Sequence, residues 1–119
     1  MLNLDTHILI FLLEGELKPR ETRLIKKNDL AISDIVLWEL TKLHQLGRIQ
    51  LDFNGPEFKS LMALLKVFPI DQLVCKCLLA LDFKSDPADE IIAATSLAHN
   101  VPLLTRDNKI RKSRIVPLA

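Results

Sequence analysis

The chain has 119 residues, 49% of them hydrophobic and 26% charged, and a formal net charge of +1. That length suits a single domain, residues 1–119, whose aliphatic core needs neither disulfides nor a structural metal. The near-neutral balance excludes a strong overall basic field, and no apolar run is long enough to span a membrane, so a cytoplasmic protein without a leader segment is expected.

Residues 1–4 are an apolar run and read as a short strand. Residues 7–14 follow as a helix ending near Gly15, and residues 19–27 suit a second helix with one charged face. Leu30-Ala31-Ile32-Ser33 is the next strand. Ser33 or Asp34 can cap a helix over 35–46, which Gly47 stops. Gly55-Pro56 breaks the chain before a helix over 57–66. Residues 67–70 read as a strand and 72–81 as a helix. Asp86-Pro87 opens a helix over 88–99, in which Asp86 is the expected cap. Residues 101–105 and 115–118 close the chain as strands. Strands separated by helices imply an α/β fold, a Rossmann-like α/β/α sandwich around a mostly parallel sheet. Sites in such sheets form at the carboxyl ends of the strands.

Cys75 and Cys77 stand at i, i+2 and point apart on a helix, so they read as buried thiols of a reducing compartment. Two basic clusters stand out. One holds Lys18, Arg20, Arg23, Lys26 and Lys27; the other holds Lys109, Arg111, Lys112 and Arg114, close behind Arg106. Each is either a solvated face or a set of phosphate contacts.

Four carboxylates carry the chemistry. Asp5 ends the first apolar strand, where it is either a helix cap or a ligand. Glu39 shares a helix face with Ile35, Val36, Leu43 and Leu46. A glutamate on an apolar stripe needs a partner, either a buried cation from Arg or Lys or a metal. Asp89 lies in the first turn of a helix rich in Ile91, Ile92, Ala93, Ala94, Leu97 and Ala98. It serves the helix dipole or points inward as a ligand. Asp107 follows Leu103-Leu104-Thr105-Arg106 as a turn residue or as a fourth ligand. Carboxylates gathered together repel unless a cation neutralises them, and an all-oxygen set prefers Mg²⁺ or Mn²⁺. Phosphodiester hydrolysis is the natural use of such a centre.

The ordered set Leu4-Asp5-Thr6-His7, Ile32-Ser33, Leu37-Trp38-Glu39-Leu40, Leu46-Gly47-Arg48-Ile49, Asp86-Pro87-Ala88-Asp89 with Ile92-Ala93-Ala94, and Leu104-Thr105-Arg106-Asp107 resembles the PIN-domain ribonucleases. Within them it is most similar to the VapC-type toxins of toxin–antitoxin pairs. The resemblance implies an Mg²⁺- or Mn²⁺-dependent endoribonuclease. Asp5, Glu39, Asp89 and Asp107 become its catalytic and metal-binding residues, and Thr6 and Thr105 its supporting hydroxyls. Arg106, Lys109, Arg111 and Lys112 become candidate contacts for RNA phosphates. It also implies a homodimer, for which the apolar helix over 8–13 offers a surface, and a small cognate antitoxin. Asp34 stands where the family carries a small apolar residue, and Asp34 and Asp86 are further acids near the site.

Two other readings compete. One is a non-catalytic PIN-like binding or regulatory module, against which the intact quartet speaks. The other is a phosphomonoesterase with Asp5 as nucleophile. That chemistry needs a second acid two residues on, where this chain has His7.

Overall fold

A computed structural model describes residues 1–119. Four strands alternate with seven helices: β1 (Leu2–Leu4), α1 (Thr6–Glu14), α2 (Pro19–Lys27), β2 (Leu30–Ser33), α3 (Asp34–Gln45), α4 (Pro56–Leu64), β3 (Leu65–Phe68), α5 (Gln72–Leu78), α6 (Pro87–His99), β4 (Leu103–Leu104) and α7 (Asn108–Arg111). All strand pairs are parallel, in the order β3-β2-β1-β4. The chain steps outward from β1 to β2 to β3, then crosses back to place β4 on the other side of β1. The order therefore reverses between β1 and β4, and that gap is the crevice of a doubly wound sheet. Asp5 and Thr105 are the first residues past its two carboxyl ends. The Asp5 amide carries the ladder one step further, donating to Leu104 O at 3.1 Å.

The core is aliphatic, as the composition requires. Leu4, Ile8, Leu9, Ile32, Val36, Leu40, Ile92 and Ile110 have no exposed surface. Helix α6 packs against α5, α3 and β2. Ala93 and Ala94 are fully buried on it, and their small side chains allow the close approach. One polar residue pins α6 to the sheet. Asn3 alternates with Leu2 and Leu4 and is fully buried; its Nδ2 donates to Ser96 Oγ at 2.9 Å and to Ile92 O at 3.3 Å. Removing a buried partner leaves others unsatisfied at about 1–3 kcal/mol. Asn3→Ala should therefore lower the urea midpoint by that equivalent with an unchanged slope; a midpoint equal to wild type would remove Asn3 from this role.

Several boundaries differ from the sequence expectation. The third strand is Leu65–Phe68 rather than 67–70. Its register is set by pairing with β2, Leu30 with Leu65 and Ser33 with Phe68, and Pro69 beyond it has no N–H to donate. Helix α4 accordingly ends at Leu64. Helix α5 stops at Leu78, short of 81. The last strand shrinks to a bridge between Leu103 and Leu118. Helix α7 was not expected. It forms because Asp107 caps it, accepting from the amides of Lys109 at 2.8 Å and Ile110 at 3.2 Å.

Helix α1 spends part of its apolar run inward, with Phe11, Leu12 and Leu13 left half-buried. Ile8, Leu9 and Ile10 are buried in the core, because α1 is threaded directly off the central strand β1. Cys75 is exposed rather than buried and Cys77 is half-buried; both are free thiols. No helix is long and apolar enough to cross a membrane.

Candidate functional site

Asp5 ends β1 and caps α1, so the cap and the strand-end position are the same residue. Its Oδ1 accepts from the Thr6 amide at 2.8 Å. Its Oδ2 accepts from Thr105 Oγ1 at 2.6 Å, across the crevice between β1 and β4. The side chain is only 3% exposed. Glu39 enters from the second turn of α3. It has no Arg or Lys partner: the one ion pair in the chain joins Arg106 to Glu21. Glu39 Oε1 instead accepts from the hydroxyl of Thr6. Its expected apolar stripe is only partly covered, with Val36 buried, Ile35 and Leu43 half-buried and Leu46 exposed. Asp89 enters from the first turn of α6, where Ser85 Oγ donates to its Oδ2 at 3.0 Å. Each of these three acids thus receives one side-chain hydroxyl.

The three acids feel one another. Burial is the largest cause holding Asp5, Glu39 and Asp89 above the ordinary carboxylate range. Like charge adds to it. Asp107 raises Asp5; Asp89 and Asp5 raise Glu39; Asp5, Asp107 and Asp86 raise Asp89. The hydroxyl donors and the nearby charge of exposed His7, at Asp5 and Glu39, work the other way. Asp107 therefore shares the electrostatics of the group while its Oδ1 caps α7. Thr105 ties it in further, accepting from the Asp107 amide at 3.0 Å.

Two further acids remain, of which Asp86 raises Asp89. Asp86 occupies the cap position of α6 but makes no capping bond; the first-turn acids Asp89 and Glu90 reach back to Ser85 instead. Ser33, not Asp34, caps α3. Asp34 Oδ2 accepts from the Ile70 amide at 3.3 Å, toward the end of β3.

No three His, Cys, Asp or Glu side chains close around a common point. The donor set nonetheless fits a hard divalent cation in kind. It is all oxygen, partly buried and unpaired with any Lys or Arg, and its members oppose one another's ionisation.

Of the basic residues, Arg106 is already committed. Its Nε and Nη2 grip Glu21 at 2.9 and 2.7 Å, Nη2 also donates to Glu16 O at 3.3 Å, and its guanidinium lies 4.0 Å over the Phe11 ring. Arg111 Nη1 donates to Thr105 O at 3.2 Å. Lys109 and Lys112 are exposed. Sequence reasoning missed Ser85, Asn3 and Glu21. Ser85 had a faint local signal, since it precedes Asp86-Pro87; the other two act through partners more than 80 residues away in the chain.

A parallel sheet flanked by helices, with Asp5 where the strand order reverses, defines a Rossmann-like α/β protein. The chain belongs to the PIN domain family, which it matches over residues 3–115. It resembles a toxin–antitoxin complex from Klebsiella pneumoniae at 26% identity and a TM-score of 0.68, over 94% of this chain and 91% of that one. It also resembles VapBC2 from Rickettsia felis, bound to a DNA fragment from its promoter, at 20% identity and a TM-score of 0.76, over 100% and 98%. A third likeness is to FitAcB from Neisseria gonorrhoeae, at 22% identity and a TM-score of 0.65, over 92% and 90%. No curated protein matches the chain.

Proposed function

We propose that the protein is a metal-dependent endoribonuclease that hydrolyses RNA phosphodiester bonds in the cytoplasm. One observation carries the reading. In a chain of the PIN family, whose members are generally nucleases, Asp5, Glu39 and Asp89 come from three elements, each takes one side-chain hydroxyl, and Asp5 disfavours the charge of the other two. Asp5, Glu39, Asp89 and Asp107 would hold Mg²⁺ or Mn²⁺. When bound, the ion supplies a hydroxide at neutral pH and neutralises charge on the phosphoryl oxygens.

The chain's own groups do the rest. Thr105 and the Thr6 amide fix both oxygens of Asp5, so its carboxylate cannot rotate freely. Thr6 and Ser85 orient Glu39 and Asp89 in the same way. The cluster repels a polyanion until its charge is balanced, which ties substrate binding to the cation.

The likeness to toxin–antitoxin complexes supports a further step: the chain is the toxin of a type II pair, a homodimer covered by a small cognate antitoxin. To test the activity, the purified protein is incubated with end-labelled RNA in millimolar Mn²⁺, with and without excess chelator. Internal cleavage is expected only with the metal. Cleavage of equal rate in chelator would sink the proposal, and so would intact RNA under every metal condition.

A further inference from the structure

A concavity of about 350 Å³ opens beside Thr105, the partner of Asp5, and no hydrophobic residue lines it. Lys18 and Arg20 reach it from the start of α2, and Arg106 and Arg111 from the segment after β4. The fold thus joins Lys18 and Arg20 of one basic cluster to Arg111 of the other and to Arg106 just before it, some 90 residues on in the sequence. Thr105 is shared between the two sites. It lines the basic cavity, and its hydroxyl donates to Asp5.

The cavity has a built frame. Glu21, 5% exposed, is its only acid and is spent internally. It accepts from Arg106 Nε and Nη2 and, at 2.8 Å, from the Lys18 amide, so it locks one wall to the other. Its bond to the Arg106 guanidinium holds its carboxyl down to about 2, so it stays a fixed anion at working pH. Arg111 is oriented by its bond to Thr105 O. Lys18, Arg20 and Arg111 are in no ion pair. Three uncompensated cations therefore face one polar hollow beside the acids.

We propose that this hollow holds a phosphate of the RNA strand, flanking the phosphate cleaved at the acidic crevice, with Lys18, Arg20 and Arg111 as its ligands. The proposal rests on the ribonuclease reading. Guanidinium forks match the oxygens of a phosphate, and the neighbouring acids need a cationic counterweight to retain a polyanion. Lys109 and Lys112 belong to the same basic run in sequence but do not line the hollow. Lys59 and Lys76, exposed and outside both basic clusters and the hollow, serve as the internal control.

Two measurements on the full chain test it. In the first, R20A/R111A and K59A/K76A variants are compared for RNA cleavage in Mn²⁺. R20A/R111A should raise KM about tenfold and flatten its salt dependence, because each lost phosphate contact removes about 0.7 from the logarithmic slope for single strands. K59A/K76A should change KM by less than about threefold. In the second, inorganic phosphate is titrated into metal-free protein and followed by amide NMR. Shifts at Arg20 and Arg111 should saturate in wild type and vanish in R20A/R111A. Equal KM effects in both variants would overturn the proposal in favour of diffuse charge. Saturation of those amides by a glutamate-rich peptide but not by phosphate would overturn it in favour of an acidic peptide. The phosphate titration decides the hollow even if no RNA is cleaved, and cleavage with no phosphate shift would leave the ribonuclease reading intact and the hollow refuted.

Discussion

Replacing Asp5 with asparagine should reduce Mn²⁺-dependent RNA cleavage by about three orders of magnitude while leaving the protein folded. Transition-state charge stabilisation by a metal supplies several kcal/mol, and each 1.36 kcal/mol is tenfold in rate, so loss of a central ligand costs about 10³. Folding has less to lose. An amide oxygen can still accept from Thr6 N, and the Thr105 hydroxyl still has a neighbour. The substitution also removes a buried charge that Asp107 opposes and that in turn opposes Glu39 and Asp89. Urea stability of metal-free D5N at neutral pH should therefore equal or exceed wild type. Thr105→Val should be milder, about 10–100-fold in rate, since it removes an orienting bond and no ligand. Cleavage by D5N within threefold of wild type would remove Asp5 from the metal centre. An unfolded D5N would show that its cap outweighs its charge, and T105V would then carry the comparison.

The second large effect is a linkage of metal, pH and stability. Asp5, Glu39 and Asp89 have folded-state values above the ordinary 3.8 of Asp and 4.5 of Glu. Such groups bind more protons folded than unfolded, so metal-free stability should fall as pH rises through their folded values toward neutrality. Glu21 has the opposite sign. Its value drops from 4.5 to about 2, so its contribution is present above 4.5 and is lost as pH falls toward 2. Metal-free protein should accordingly be most stable in mild acid, between those two regimes. Mn²⁺ needs the ionised acids, so it should stabilise most at neutral pH, by about 2.7 kcal/mol at a hundredfold excess over its Kd, and little in mild acid. Thermal melts across pH with Mn²⁺ and with chelator measure both. A melting temperature that rises steadily from mild acid to neutral pH without metal would contradict the assigned strain among the acids.

The elements were largely legible because periodicity and caps are local. Gly15 and Gly47 take positive φ where helices α1 and α3 end, as their positions suggested. The edge strand β3 was displaced because its limits depend on partners in β2, not on its own apolar run. Helix α7 was hidden because four residues carry no period, and only the Asp107 cap defines it.

The acids were legible in type and not in partnership. Glu39 was recognisable as an acid without a local cation and Thr6 as a supporting hydroxyl, but that the two meet from α3 and α1 was not legible. Arg106 looked like one more phosphate contact in a basic run. Its commitment to Glu21 and Phe11 depends on α1 and α2 folding back beside β4.

Sequence by itself determined the alternation of strands and helices, the aliphatic core and the placing of acids at element ends, because each follows from the chain's own spacing. Tertiary structure decided which acids share a field, which hydroxyl serves each, and which cations are free. Those depend on the strand order β3-β2-β1-β4, which brings Asp5 beside Thr105 and Lys18 beside Arg111. Charges and hydrogen bonds act over a few ångströms, and only the crossover back to β4 brings residues 100 positions apart within that range.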